Sequence, residues 1–471
     1  MSDKKLLLGP KVRRLRKEQR LTQAQMAADL DISPAYLNLI EHNQRPLSAQ
    51  VLVKIASTYD IDLASFAKDD APERAARLKA LFADPALGDL RLNAQDFADM
   101  TALSPEASAA ILALGERVAR QRQILQSKGG EVTDADMNAP MDPAHAARNF
   151  FEHQGNHFPA LEDLAAQIRE DLDIRVQDRG EAVAAKILEA SPFEAQVVPA
   201  RIMGATLRRH DFHGRRLLLN QALSPASRRF QVLSQFFVSQ QSLALDRLVK
   251  DQSWDQPAAV KLARLSLAGY AAAATLMPYT ATLAAAAEAA YDIDSLAHDF
   301  AVTREQMAQR LTTLRRPGQR GLEFFMARLD AAGNMTKRLS AANFPLIRSG
   351  AACPRWHVHG AIASHQSIQS DLVVLPDGSR FLSLAIPCQK PTLSHSQPGQ
   401  PYVLVIGCNA QDAAQTVYGR RLNLESAPAT PIGPTCRLCE RLDCTYRAAP
   451  PANHEILVDE NRRDMMPYAF V

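Results

Sequence analysis

The chain is short of aromatics, of cysteine and of excess charge of either sign. Aromatic residues make up 6% of its 471 positions, against 46% hydrophobic and 22% charged residues, the balance of a soluble globular protein. A formal net charge of +3 rules out a global field that would draw the whole molecule to polyanions. Six cysteines in a chain of this length do not make a secreted disulfide scaffold. The N-terminus has no apolar run long enough for a secretory signal, so a cytoplasmic location is expected. One uncharged stretch, Leu265 to Ala287, is long enough to span a bilayer. It is mostly Ala, Thr and Ser, which bury little apolar area, and it contains Pro278. Buried helices split at that proline are expected, with no membrane span.

What charge there is lies unevenly. Lys4, Lys5, Lys11, Arg13, Arg14, Arg16, Lys17 and Arg20 stand against only Asp3 and Glu18 in the first twenty residues. Directly after them, Thr22 and Gln25 have the spacing of a capping box, and Met26, Ala27 and Leu30 that of an amphipathic helix. Ser33-Pro34 restarts a helix with Ser as cap and Pro at its first position. On that second helix Leu37 and Ile40 face inward, and Tyr36, Asn38, Glu41 and His42 are expected outward. This is the helix-turn-helix plan, whose second helix enters the DNA major groove. The basic first helix, Pro10–Arg20, suits phosphate contact. Ser48 caps a further helix bearing Val51, Leu52 and Ile55, and Leu63 to Ala67 add a fifth.

LTQAQMA, ISPAYLNLIE and NQRPLS together resemble the Cro/repressor-type (XRE) DNA-binding domain over residues 9–67. The resemblance implies that Gln23 and Arg45 hold phosphates, and Arg13 on the basic helix and Asn43 in the loop before Arg45 are also expected at the DNA. Ser33 would anchor the recognition helix, and Pro34, Ala35, Tyr36 and Asn38 would lie nearest the bases. Residues 70–128 read as helical, and Ile111, Leu114, Val118 and Leu125 form a short stripe. It suits either a dimer helix or packing on the next domain. Residues 128–143 read as a linker.

Residues 143–260 read as α+β. Helices are expected over Arg148–Phe158 and Ala160–Leu172, a short strand at Ile174–Val176, and a hairpin around His210–Gly214. A helix follows over Ser224–Ser242. His153 and His157 have zinc-ligand spacing, but Gln154 cannot act as base and Gly155-Asn156 breaks the helix. The segment Arg229–Val238 is similar to the active-site helix of the IrrE-like zinc peptidases, where Ser234, Gln235 and Val238 would be His, Glu and His. On that resemblance the domain is a degenerate peptidase fold without its chemistry. Residues 292–314 have a second helix-turn-helix shape, expected to be structural. Phe324–Leu329 with Gly333-Asn334 suggests a hairpin.

In the last segment, 270–471, Cys436, Cys439 and Cys444 crowd together with the spacing of metal or cluster ligands. Three ligands are incomplete, and Cys353 is the leading fourth, ahead of His357 and His359. Cys388 and Cys408 end apolar runs and read as buried strand residues. Arg437, Arg441 and Arg447 could balance thiolates, bind phosphates or simply be solvated. RLTTLRRPGQRG, the run from Arg328 through His359, and PIGPTCRLCERLDCTYRAAPP resemble the short-chain fatty acyl transcriptional regulators over essentially the whole chain. That family is mainly α with an α+β C-terminal part. It joins a five-helix XRE domain, a degenerate IrrE-like domain and a Cys-containing sensor domain. The resemblance implies a homodimeric, non-enzymatic regulator of propionyl- or acetyl-CoA metabolism. Such a protein reads a pseudo-palindromic DNA site and answers to a short-chain acyl-CoA. A 4Fe–4S cluster at the cysteines is implied, with zinc as the alternative. The competing classes are an IrrE-like zinc peptidase fused to a DNA-binding domain and a scaffold that binds protein alone.

Overall fold

The computed structural model describes residues 9–18, 21–41, 44–45, 47–59, 71–82, 92–103, 107–115, 117–118, 142–250, 252, 254–340, 344–346, 351–363, 367–422, 424, 427–451, 454–462, 464–466 and 468–470. The chain divides into two compact units, 1–132 and 133–471. The first opens with α1 (Gly9–Glu18), α2 (Gln23–Asp29), α3 (Pro34–Glu41) and α4 (Ala49–Tyr59). Their apolar faces meet in one core of Val12, Leu15, Met26, Leu30, Leu37, Ile40 and Ile55. The fifth helix expected at 63–67 lies outside the described residues. Further on, α5 (Ala71–Phe82) and α6 (Ala94–Leu103) pack together around Leu78, Phe97 and Leu112. Residues 107–115 are helical, with Leu112 buried but Leu114 and Val118 exposed; Leu125 lies outside the described residues.

The second unit begins with α7 (Pro143–His153) and α8 (Pro159–Asp171). Between them Gly155 and Asn156 both take positive φ, which is the break that their residue types suggest. After α8, Ile174–Val176 is not a strand. The Arg175 N–H turns to Asp178 Oδ2 (2.8 Å) and Ile174 is buried in the helical core, so no ladder partner is reached. Next come α9 (Gly180–Glu189), β1 (Glu194–Val198), β2 (Arg208–Asp211) and β3 (Arg216–Asn220). β2 and β3 form the expected hairpin, and β1 adds in parallel on the far side of β3.

α10 (Pro225–Gln240), capped by Ser224, leads to α11 (Ser242–Lys250) and then α12 (Pro257–Leu276) and α13 (Tyr279–Glu288). The uncharged stretch is therefore two helices broken at Pro278. α12 is the centre of the layer, packing on α7, α8, α10 and α11, and small Ala271, Ala272 and Ala274 allow the close approach. It also runs unbroken through residues 260–270, where a domain boundary was expected. Among the described residues no helix is long and apolar enough to cross a membrane. α14 (Ile293–Asp299) and α15 (Arg304–Leu311) do have a helix-turn-helix shape, but Met307, Ala308, Arg310 and Leu311 are buried, and α15 packs on α12 and the sheet.

The sheet contains β4 (Phe324–Asp330), β5 (Met335–Ser340), β6 (Gln369–Val374), β7 (Arg380–Gln389), β8 (Pro401–Asn409) and β9 (Thr430–Pro431). A short helix, α16 (Val358–Ala363), lies between β5 and β6. The strand order is β9-β6-β7-β8-β4-β5, antiparallel except for β9 against β6. Side chains alternate between two buried faces. Phe324, Met326, Leu382, Leu384, Leu404, Ile406 and Cys408 join the helical core. Phe325, Ala327, Phe381, Ala385, Val403 and Val405 pack instead with Phe344, Cys353, Trp356 and Ile432. Gly407 is required where β8 crosses beneath Phe325, since a Cβ there would meet Leu382 O at 2.2 Å.

Candidate functional sites

The helix-turn-helix is built as its residue types dictate. Thr22 Oγ1 accepts from Gln25 N (3.2 Å), while Gln25 Oε1 accepts from Thr22 N (2.9 Å). Ser33 Oγ accepts from Tyr36 N (3.1 Å), so it caps α3. Ser33, Pro34, Ala35 and Asn38 are exposed, as are Arg13 on α1 and Arg45 beyond α3. Tyr36 is only half-exposed, because its ring also packs on the core. Asn43 and His42 lie outside the described residues.

Glu41 corrects the expected outer face of α3, because its side chain is wholly buried. Arg16 grips it through Nε (2.6 Å to Oε1) and Nη2 (3.0 Å to Oε2), and also donates from Nη1 to Leu21 O (3.1 Å). Arg16 is thereby spent on tying α1 to α3 rather than on phosphate. Burial pushes the Glu41 carboxyl up, but hydrogen bonds from Arg16 and Gln23 outweigh it and hold the group below the usual carboxylate range. Gln23, at the start of α2, donates from Nε2 to Glu41 Oε2 (2.8 Å) and to Asn38 Oδ1 (3.2 Å). Spacing alone gave no sign of this network, although an Arg and a Glu on helices that must pack together were a usable hint.

The second site lies on the sheet face opposite the main helical core, the face on which α16 packs. After β9, Ile432 N–H donates to Val374 O (3.0 Å), and the chain then turns through Cys436, Cys439 and Cys444. Arg447, itself buried, holds this loop from inside. Its Nη1 donates to Cys436 O (2.7 Å) and its Nη2 to Cys439 O (3.0 Å) and to Arg441 O. Arg441 Nη2 donates to Val374 O (3.0 Å). These two arginines therefore bond backbone carbonyls of the loop and its sheet support. Ala448 N–H donates to Cys436 Sγ (3.3 Å), and a Cβ at Gly433 would come within 2.5 Å of Cys439 Sγ.

Cys353 arrives from the segment before α16. Burial pushes its thiol up, the Cys436 and Cys439 thiols push it further, and backbone N–H groups of Gly433 and Arg355 act against this. The Arg355 guanidinium lies over the Tyr446 ring (5.5 Å), two residues beyond Cys444. Three of the four cysteines singled out from sequence, Cys353, Cys436 and Cys439, thus stand close together, and Cys444 lies further along the same loop. Cys408 packs on the helix-facing side of the sheet, and half-buried Cys388 packs against the same core. His359 Nε2 is 3.0 Å from Cys353 O, so it braces that segment, and His357 Nδ1 faces Asp371 Oδ2 at 3.8 Å. Among the described residues no three His, Cys, Asp or Glu side chains form a set that would hold a metal ion. The thiol donors and the N–H directed at Cys436 Sγ are the kinds of group that a thiolate-bound centre uses.

On α10, Ser234 and Gln235 are buried and Val238 is half-buried, and Gln235 Nε2 lies 3.4 Å from His210 Nδ1. The positions matching a peptidase metal site thus carry neither ligand nor base. A helix-turn-helix with an open recognition face, joined to a second unit bearing a cysteine loop and an emptied peptidase helix, defines a DNA-binding transcriptional regulator. The helix-turn-helix family matches residues 12–66, the IrrE N-terminal-like domain 191–312, and the short-chain fatty acyl coenzyme A regulator C-terminal domain 313–468. Over the full length the chain is 32% identical to the HTH-type transcriptional regulator RamB of Mycobacterium tuberculosis, covering 98% of each. It is also 32% identical to the propionyl-CoA carboxylase regulator of Cereibacter sphaeroides, covering 99% of each. A solved Mycobacterium tuberculosis transcriptional regulator superposes with a TM-score of 0.64 at 30% identity, over 70% of this chain and 99% of that one. The chain belongs to the short-chain fatty acyl coenzyme A regulators.

Proposed function

We propose that this regulator acts as a homodimer on a pseudo-palindromic DNA site controlling propionyl- or acetyl-CoA metabolism, with a short-chain acyl-CoA as effector. The observation that carries the DNA arm is the exposure of Ser33, Pro34, Ala35 and Asn38 on α3, flanked by exposed Arg13 and Arg45. Pro34, Ala35, Tyr36 and Asn38 meet base edges, while Arg13 and Arg45 meet phosphates, with Asn43 as a further DNA contact. Exposure of Leu114 and Val118, with Leu112 taking the buried position, supports the helical residues 107–115 and 117–118 as the dimer contact. Such a dimer would match the two half-sites. The test is a mobility shift of DNA from the chain's own promoter region. Binding should weaken steeply with salt and be abolished in the Arg45→Ala, Asn38→Ala double variant. Salt-insensitive or unchanged binding would leave only a protein-binding scaffold.

The peptidase-derived helix serves packing rather than catalysis, supported by Ser234, Gln235 and Val238 in place of ligands and base. Metal-dependent proteolysis by the purified chain would overturn this. At the second site, Cys436, Cys439, Cys444 and Cys353 would hold a 4Fe–4S cluster, which when bound would make the sensor unit responsive to iron or redox state. Anaerobically purified protein should absorb in the visible region and carry stoichiometric iron, both lost in Cys436→Ser. Colourless protein carrying zinc would replace the cluster with a structural zinc site.

A further inference from the structure

Gln23 does not simply await a phosphate, because both N–H bonds of its side-chain amide are engaged inside the protein. The relay starts at Arg16, which can only donate. Its partner Glu41 is a buried carboxylate gripped through both oxygens (2.6 and 3.0 Å) and can only accept. Gln23 must therefore turn its NH2 end, not its carbonyl, towards Glu41 (2.8 Å). The second hydrogen of that NH2 points to the Asn38 amide at 3.2 Å, where only an oxygen can receive it. The ion pair thus dictates the sense of every amide in the chain. Asn38 presents Oδ1 to Gln23, and its NH2 end is turned the other way on the exposed face of α3.

An Asn amide is asymmetric, with a donor end and an acceptor end, and a base edge distinguishes the two. Rotated by half a turn, the same side chain would offer the opposite pattern to the same base pair. We propose that Gln23 is a specificity-determining positioning residue: through the Arg16–Glu41–Gln23 relay it fixes which end of Asn38 faces the DNA. This rests on the reading of α3 as the base-contacting helix. It departs from a phosphate-holding role for Gln23, and the two make different predictions. Loss of a phosphate contact weakens all sequences alike and lowers the salt slope by about one. Loss of amide orientation flattens the preference at one base pair per half-site and leaves the salt slope as it was.

The experiment selects binding sites for the full-length chain from a pool of randomised duplexes. Single-base variants of the selected site are then titrated over a salt series. Gln23→Ala should reduce discrimination at the base pair read by Asn38 by roughly tenfold, with an unchanged slope of log affinity against log salt. Added to Asn38→Ala, it should cause no further loss of discrimination. Gln23→Lys keeps donors for both Glu41 and Asn38 and should preserve the preference. It also guards against the Ala variant failing because the domain is loosened. A uniform loss across all sequences with a smaller salt slope in Gln23→Ala would overturn the proposal, as would a flattened preference in Gln23→Lys. Should Asn38→Ala leave every base preference intact, the base-contacting role of Asn38 falls, and the relay proposal with it.

Discussion

Glu162 and Arg310 are both almost wholly inaccessible, and their contact is bidentate at 2.6 and 2.8 Å. Tyr270 donates to the same carboxylate (2.5 Å), and Arg310 Nε donates to Met277 O (2.9 Å), so the charges are satisfied on several sides. A pair this deep is costly to break because the surviving partner stays charged without a counter-ion. Glu162→Gln should lower unfolding stability by about 3–5 kcal/mol. Joint replacement by Leu and Met should cost less, as denaturant midpoints will show. Burial alone would push the Glu162 carboxyl up, but Arg310 and Tyr270 hold it below its ordinary 4.5. Its contribution is therefore complete above that pH and lost as pH falls through the folded value. Burial also pushes His157 below its ordinary 6.5, so folding favours its neutral form, and that contribution is lost as pH falls below 6.5. Burial lowers His357 in the same way, so stability of the second unit should decline in two stages on acidification, and His157→Gln should shrink the upper stage and leave the lower one intact. A single transition below 4.5 in the unsubstituted protein would contradict the assignment of the upper stage to these buried histidines.

At the scale of elements, α12 is the part whose composition is easiest to misread. Its alanines are small because four helices press on it, and Ala271 is fully buried. Ala271→Leu should destabilise the protein by about 1–3 kcal/mol through overpacking. Leu265→Ala, on a side chain that is 48% exposed, should change stability by less than about 1 kcal/mol. The same denaturant titration measures both, and equal effects would mean that the helix is not packed as described. The α14–α15 pair shows the converse lesson. Its turn matches that of α2–α3, with Ala301 and Asp31 both at positive φ, and its second helix has a capping box of its own, yet Arg304 is paired with Asp294 at 2.5 and 3.0 Å and that helix is packed against the sheet. Capping chemistry makes a helix-turn-helix, and exposure of its outer face makes a reader of DNA.

For the whole molecule, regulation requires that effector and DNA compete for or share one conformational equilibrium. Titration of DNA binding across a series of acyl-CoA chain lengths should shift affinity for one short chain by about 5- to 150-fold. By linkage, DNA must change affinity for that acyl-CoA by the same factor, which equilibrium binding in the presence and absence of operator will test. An acyl-CoA that binds without altering DNA affinity would remove it as the effector. The sheet also bears on the cysteine site. With both faces buried, it puts Cys408 on the side facing the helices and Cys353 on the side of the loop.

Local chemistry was legible wherever a residue's role depends on its near neighbours in sequence. Thr22 with Gln25, Ser33-Pro34, the Gly155-Asn156 break and the Pro278 split all act over a few residues, and each could be read directly. The spacing of Cys436, Cys439 and Cys444 was as plain. The strand β1 escaped because Glu194, Ala195 and Gln196 carry no alternating pattern, its partner being a distant parallel strand. Ile174–Val176 misled because three β-branched or extended residues say nothing of whether a neighbour is within reach. Glu41 looked like a surface residue until α1 brought Arg16 against it. The sequence by itself determined the helix-turn-helix with its caps, the family and the three-cysteine motif, whereas α9 went unread and α7 ends at His153, short of the expected Phe158. Only the tertiary structure decided that Glu41 is buried, that Gln23 is bound to Asn38, and that Cys353 stands beside Cys436 and Cys439. Those depend on contacts between segments far apart in the chain, which no local spacing encodes.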